Sequence, residues 1–516
     1  MAIFMFRYEG QQTIQNETIT CIMINSRVAP IEVSKEDFRK TGYQLIDAIA
    51  DFIHNIRERP VTTGESPKQI QTLLGASPLP EEGAPVEEIV MKAASLLMNH
   101  SLLNGHPKFY GYITSSAAPI GALADLLASA VNPNVGANIL SPMATEIEKQ
   151  TIRWLAEFIG VSPTYGGILV SGGNMANFTC FLNARIINGP KGSRANGISN
   201  ENQRLMVYCS KATHTWVEKA AVLFGLGTNS IRWIELENSG KMNKGLLEEA
   251  IKEDIDKGNH PLMAIGNAGD VSTGAVDDLK GIASICRKYN IWFHIDGAYG
   301  IPAAVIPHLR LMFEGIEEAD SIALDPHKWL YSPLEAGCVL VKNANHLLEA
   351  YSGSHPEYYN FGRSEEAVTH NFYEYGLQNS RGFRALKVWL GLQQAGRKGY
   401  IEMISEDIRL SRLMYAKAME HPELQAITQN LSITTFRYVP QSRNNDETYL
   451  NKLNETLLNA LQESGKVFLS NAVVRGKYCL RACIVNFRTT EKDIEEVINV
   501  ITVEGKKAHE QLKASS

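Results

Sequence analysis

The stretch Gly166–Ile186, GGILVSGGNMANFTCFLNARI, changes its pattern in the middle. GGILVS (166–171) is a short apolar run, the form of a strand covered on both faces. NMANFTCFLNARI (174–186) is long enough for a helix and spaced for one. Gly172 and Gly173 stand between them, where a strand must turn sharply. Strand, glycine turn and helix together make half of a β-α-β unit.

The chain repeats the unit. LMVYCS (205–210) is followed by HTWVEKAAVLFG (214–225), and IRWIEL (231–236), LMAIGN (262–267), IWFHID (291–296) and SIALD (321–325) are further apolar runs. Helical segments such as GLLEEAIKEDIDKG (245–258) and VDDLKGIASICRKYN (276–290) separate most of them. Continuous apolar strands alternating with helices predict an α/β fold with a mostly parallel sheet covered on both faces. Ligands of such sheets sit beyond the carboxyl ends of the strands.

The flanks differ from this middle. EDFRKTGYQLIDAIADFIHNIRER (36–59) carries Leu45, Ile46, Ile49, Ile53 and Ile56 at helical spacing, and a second helix is expected over Val86–Met98. The stretch Pro60–Pro85, rich in Pro, Gly and Glu, reads as a surface connection. After NSRGFRALKVWLGLQQAG (379–396) come a strand (LSITTFRYVP), a helix (TYLNKLNETLLNALQES) and two short strands within KVFLSNAVV and KYCLRACIVNF. A last helix follows, with Thr490 and Asp493 as its capping box. The division expected is an N-terminal helical segment (1–105), a large domain (106–396) and a small C-terminal α+β domain (397–516).

Composition excludes several function classes. The 516 residues are 44% apolar and 21% charged with a net charge of −6, which leaves no electrostatic footprint for nucleic acid. No apolar run approaches the roughly 20 residues of a membrane helix. The seven cysteines are scattered and form no CxxC pair, so neither a disulfide framework nor a metal site is expected. A cytoplasmic protein is the reading.

Four features fall at strand ends. Gly172-Gly173 followed by Asn174 would open a helix N-terminus toward an anion such as phosphate; glycine turns are common, and alone this one carries little. His214 follows a strand and heads a helix, where a capping or buried histidine is the plain alternative. Asp296 closes the apolar run IWFHID, and a carboxylate there is costly without a partner. Lys328 follows SIALDPH, and a lysine in a desolvated pocket readily forms a Schiff base with a carbonyl. An acid for a pyridine nitrogen, a glycine turn for a phosphate and a lysine for an aldehyde are the three handles of pyridoxal phosphate.

SIALDPHKW (321–329) resembles the signature of the group II pyridoxal-phosphate-dependent amino acid decarboxylases. FRKTGYQLIDAIADFI, HPKFYGYI, LSPMATEIEKQTIRWLAEFIG, NSRGFRALKVWLGL and LRACIVNFRTT also resemble family segments, so the likeness covers roughly residues 36–505. It implies the fold type I (aspartate aminotransferase-like) architecture and pyridoxal 5′-phosphate as cofactor. It implies that Lys328 anchors the cofactor, that His327 lies beside the phosphate, and that Gly173 and Asn174 hold it. Asp296 would pair with the pyridinium nitrogen. Ala298 would pack on one ring face and His214 on the other, where His214 can also take part in proton transfer. Asp325 would lie near the phosphate or the lysine. Tyr358, with Tyr359 as the adjacent alternative, would return the proton from a loop spanning 351–372. That loop closes over the partner subunit's site in relatives, which implies a homodimer.

The implied reaction converts an L-amino acid to its amine and CO2. An aromatic substrate leads, because no basic group appears dedicated to an acidic side chain. An oxygen-consuming aldehyde synthase is the alternative within the family; retention of Tyr358 and His214 favours plain decarboxylation. Tyr112 is expected in the pocket. Gly136 and Val271 replace, respectively, an aromatic wall and a threonine of the animal aromatic-amino-acid enzymes, and Gly136 is expected to widen the pocket.

Overall fold

The structure, a computed structural model, describes residues 29–198, 203–353, 370–441 and 446–514. Seven strands form the central sheet: β1 (Gly166–Val170), β2 (Leu205–Ser210), β3 (Ile231–Ile234), β4 (His260–Asn267), β5 (Trp292–Asp296), β6 (Ser321–Leu324) and β7 (Gly337–Val341). Their order is β1-β7-β6-β5-β4-β2-β3. The pairs β2–β3, β2–β4, β4–β5 and β5–β6 are parallel. β7 runs antiparallel to both β1 and β6.

Strand β7, GCVLV, is an addition to the six strands read from the sequence. It is antiparallel, so no crossover helix announces it, and it starts on a glycine. That glycine is required by packing: a Cβ at Gly337 would lie 2.7 Å from backbone atoms of Gly172. Cys338, Val339, Leu340 and Val341 are fully buried, and burial on this scale holds a strand together, at roughly 1.5–3 kcal/mol per large aliphatic side chain.

Local signals set the helix limits. The helix Pro142–Ile159 begins on a proline and ends at Gly160, whose φ is 82°. The helix Leu279–Tyr289 is capped by Asp278, which accepts from the Gly281 N–H at 2.9 Å. The N-terminal helix spans Lys35–His54, and a further helix at Val86–Asn99 packs on it. Between them the expected surface connection contains a helix of its own, Pro67–Leu74, closed by a capping box of Ser66 and Gln69.

The C-terminal part carries a four-stranded antiparallel sheet of order β10-β11-β9-β8, from β8 (Leu424–Asn430), β9 (Ile433–Tyr438), β10 (Ser470–Val474) and β11 (Lys477–Cys483). β8 is a second addition to the sequence reading. The helices Glu447–Glu463 and Glu491–Ala514 pack on this sheet around Phe436, Leu457 and Ile494. Thr490 and Asp493 cap the last helix reciprocally, at 2.8 and 3.4 Å. The long helix Ala385–Glu420 joins the two sheets and breaks its geometry at Gly396 (φ 62°). Among the described residues no helix is long and apolar enough to cross a membrane.

Candidate active site

Strands β2, β4, β5 and β6 end on the same side of the sheet, and a cavity of about 990 Å³ opens there. The small C-terminal sheet closes its other wall through Ser470, Asn471 and Arg481.

The glycine turn forms one end. Gly172 caps the helix Gly173–Ile187 with φ 129°, a conformation that favours glycine. The Ala176 N–H is the first to reach back, to the Gly172 carbonyl. The N–H groups of Gly173, Asn174 and Met175 therefore have no intrahelical acceptor and form an anion cradle. The helix opens at Gly173, one residue before the position read from the sequence. His327 lies against this turn, 3.1 Å from where a Gly172 Cβ would stand. Its Nδ1 accepts from the Ala336 N–H at 3.1 Å, so the neutral ring carries its proton on Nε2. Burial lowers the His327 pKa, which favours that neutral form.

Asp296 is the last residue of β5 and is 8% exposed. Its Oδ2 accepts from Trp216 Nε1 at 2.8 Å and its Oδ1 from the Ala298 N–H at 3.2 Å. Two donors thus fix the carboxylate toward the cavity. His214 projects from the turn after β2, and its Nδ1 accepts from the Trp216 N–H at 3.3 Å. Burial is the main cause that lowers the His214 pKa, so this ring too is neutral with an N–H on Nε2. Ala298, two residues beyond Asp296, also lines the cavity.

Lys328 extends into the same space. Its Nζ lies 3.1 Å from Oδ2 of Asp325, a carboxylate 1% exposed. The Asp325 Oδ2 also abuts the glycine turn, 2.5 Å from a Cβ built on Gly173. Asp325 therefore lies against both the lysine and the glycine turn. Tyr358 and Tyr359 lie outside the described residues.

The donor set suits pyridoxal phosphate. Free N–H groups meet a phosphate, a buried carboxylate meets a ring nitrogen and a lysine amine meets an aldehyde. Gly173→Ala places a methyl group against Asp325 and the cradle; cofactor affinity is expected to fall about tenfold, read by titrating cofactor-free protein.

One group escaped the sequence reading. Arg481, on β11, is 2% exposed and lines the cavity. Its Nη1 donates to the Tyr112 carbonyl at 2.9 Å and to Ser470 Oγ at 3.0 Å, while Nε and Nη2 have no partner among the described residues. Unpaired guanidinium donors buried in a cavity call for an anionic ligand. Tyr112 is at the mouth, with φ 50°. Val271 lines the cavity, whereas Gly136 is not among its lining residues. A Cβ there would meet the Asn379 carbonyl at 2.1 Å. The smallness of Gly136 serves backbone packing, and the expected widening is not seen in this cavity.

Comparison with known proteins gives a consistent picture. The pyridoxal-dependent decarboxylase conserved domain matches residues 67–439. An aromatic-L-amino-acid decarboxylase of Bacillus atrophaeus is 32% identical over 469 residues, covering 91% of this chain and 95% of its own. A phenylacetaldehyde synthase of a Rosa hybrid cultivar is 29% identical, covering 90% and 93%. The crystal structure of Oryza sativa TDC with PLP and tryptamine superposes with a TM-score of 0.85 at 25% identity, covering 92% of this chain and 99% of that one. The sheet and its helices are accordingly of the fold type I class.

Proposed function

The chain belongs to the pyridoxal-dependent decarboxylases, and from that membership we propose that its cavity converts an aromatic L-amino acid to the amine and CO2. The family's reaction is pyridoxal-phosphate-dependent decarboxylation. When bound, pyridoxal phosphate supplies an electron sink for the pair left on the α-carbon as CO2 departs.

The residues then take the following roles. Lys328, with its amine in the cavity, would hold the cofactor. The N–H groups of Gly173 and Asn174, with His327, hold the phosphate. Asp325 faces the Lys328 amine beside that cradle. Asp296 would pair with the ring nitrogen through its negative charge, and Ala298 and His214 would bound the ring. Neutral His214 presents its Nε2–H to the substrate side. Tyr358 returns the proton to the α-carbon. Arg481 is the observation that carries the reading of an amino-acid substrate: its free Nε and Nη2 donors suit the α-carboxylate. The other basic groups on the described wall are Lys328, His214 and His327. With those committed, none is left for an acidic side chain, while Tyr112, Ile113, Phe178, Val271 and Leu334 offer apolar surface. Arg481→Met is expected to raise KM for the amino acid by roughly 30-fold or more while cofactor affinity holds; steady-state kinetics and cofactor titration separate the two.

The assembly we infer is a homodimer. The helices Lys35–His54 and Pro119–Val131 expose Phe38, Tyr43, Leu123, Leu126, Leu127 and Val131, an apolar surface suited to a second copy. On this reading the segment 1–105 contributes to the dimer surface through Lys35–His54, the cofactor domain 106–396 adds Pro119–Val131 to that surface, and 397–516 is the domain that delivers Arg481. Six cysteines among the described residues are free, which supports a cytoplasmic location.

The second reading, an aldehyde synthase, is favoured by the likeness to the Rosa protein. It would consume O2 and water and release aldehyde, CO2, ammonia and peroxide. Product analysis by mass spectrometry, with a set of amino acids supplied in air, tests both. An aromatic amine without peroxide supports the first reading; aldehyde with peroxide replaces it by the second. Tyr358→Phe is expected to slow amine formation and raise the aldehyde share. An unchanged product ratio would move the role to Tyr359.

A further inference from the structure

Lys328 sits on a turn whose shape needs an external hold. The Lys328 N–H bonds to the Asp325 carbonyl at 2.9 Å, and the Tyr331 N–H to the Lys328 carbonyl at 3.2 Å. Tyr331 itself has φ 55°, a left-handed conformation that a bulky side chain keeps only where its surroundings impose it. The two aromatic side chains of this turn converge on one atom. Trp329 Nε1 donates to Asp407 Oδ2 at 2.9 Å, and the Tyr331 hydroxyl donates to the same oxygen at 2.7 Å. Asp407 is 1% exposed and lies in the helix Ala385–Glu420, beyond the break at Gly396. Tyr400, on that helix, donates to the Leu330 carbonyl at 3.1 Å. Trp329 also stacks on Tyr299 at 5.0 Å, and Tyr299 lines the cavity.

We propose that Asp407 is a positioning residue that fixes the Lys328 turn, through Trp329 and Tyr331, in the geometry that presents the lysine amine to the cofactor. The inference rests on the site reading above. Among the described residues Asp407 pairs with no Lys, Arg or His; Tyr331 from the turn, Cys483 from β11 and Glu406 from its own helix are the titratable groups it feels. Burial pushes its carboxyl up to about 7, against the lowering effect of Tyr331, Trp329 and the Asn486 backbone N–H. The hold therefore strengthens as the acid ionises across neutral pH.

The test uses the full chain with Asp407→Leu, Asp407→Asn and Tyr331→Phe. Amide exchange over residues 325–332 is followed by mass spectrometry without cofactor, and pyridoxal phosphate is then titrated in. Asp407→Leu is expected to speed exchange over the turn and weaken cofactor binding, each about tenfold or more. Asp407→Asn, whose amide oxygen can accept both donors, should keep both close to wild type and lose the wild-type dependence of affinity on pH near 7. Tyr331→Phe removes a group that favours the charged acid, so it should move that dependence to higher pH; it serves also where Asp407→Leu does not fold. Wild-type exchange and affinity in a folded Asp407→Leu chain overturn the proposal. So does an Asp407→Asn chain as impaired as Asp407→Leu, or a Tyr331→Phe chain with the wild-type pH profile. A wild-type chain that takes up no pyridoxal phosphate overturns the site reading instead, while exchange over the turn still decides the role of Asp407.

Discussion

Lys328→Ala is expected to lose turnover by roughly a thousandfold or more, together with the visible absorbance of lysine-bound cofactor. The expectation starts from position. Lys328 is the one lysine on the described cavity wall, so no neighbour can replace its amine. Its Nζ is also the cation that faces Asp325 at 3.1 Å. Removing it leaves a carboxylate 1% exposed beside the phosphate cradle, where like charge opposes the phosphate. The variant should bind the cofactor weakly as well as without a covalent link. Borohydride reduction separates the effects. In the wild type it should leave the cofactor's mass on the peptide containing Lys328; in the variant that mass should be absent. Adding Asp325→Asn to Lys328→Ala should restore part of the non-covalent affinity and none of the turnover. Full activity in Lys328→Ala would refute the site assignment.

What the sequence discloses depends on how local the cause is. Strands β1, β2, β4, β5 and β6 are buried on both faces, so their apolar runs stand out. Strand β7 is hidden because it follows the turn-rich SPLEAG and has no crossover helix before it. Asp296 is legible because an acid closing an apolar run has no solvated face to point to. Arg481 is not: in KYCLRACIVNF it resembles any strand arginine, and only the docking of β11 over the carboxyl ends of the central strands places it in the cavity. Asp407 is hidden in the same way. In YIEMISEDIRL it stands in the company of Glu402, Glu406 and Arg409, and the last two pair with each other at the surface. An acid so placed reads as part of a solvated face, and only the tertiary fold turns it inward to Trp329 and Tyr331.

Asp296→Asn is expected to lower kcat by about 10²–10³ while the cofactor is still taken up. The carboxylate closes β5, and Trp216 and the Ala298 N–H hold its two oxygens. Those donors have two consequences. They match a group that accepts on both oxygens, and they leave it no freedom to turn away from the cavity. A negative charge fixed there favours a protonated ring nitrogen, and a protonated ring withdraws the electron pair left by CO2 more strongly than a neutral one. An amide at position 296 keeps the size of the side chain and removes the charge. It also has one oxygen for two donors, so either the indole or the Ala298 N–H loses its acceptor. The loss should therefore fall on kcat, with KM for the amino acid nearly unchanged, because Arg481 and the apolar wall are untouched. Trp216→Phe removes one orienting donor and keeps the charge, so its loss should be much smaller. If Asp296→Asn retained the wild-type kcat, the charge would have no part in the chemistry. If Trp216→Phe were as damaged as Asp296→Asn, orientation and not charge would be what the strand end provides.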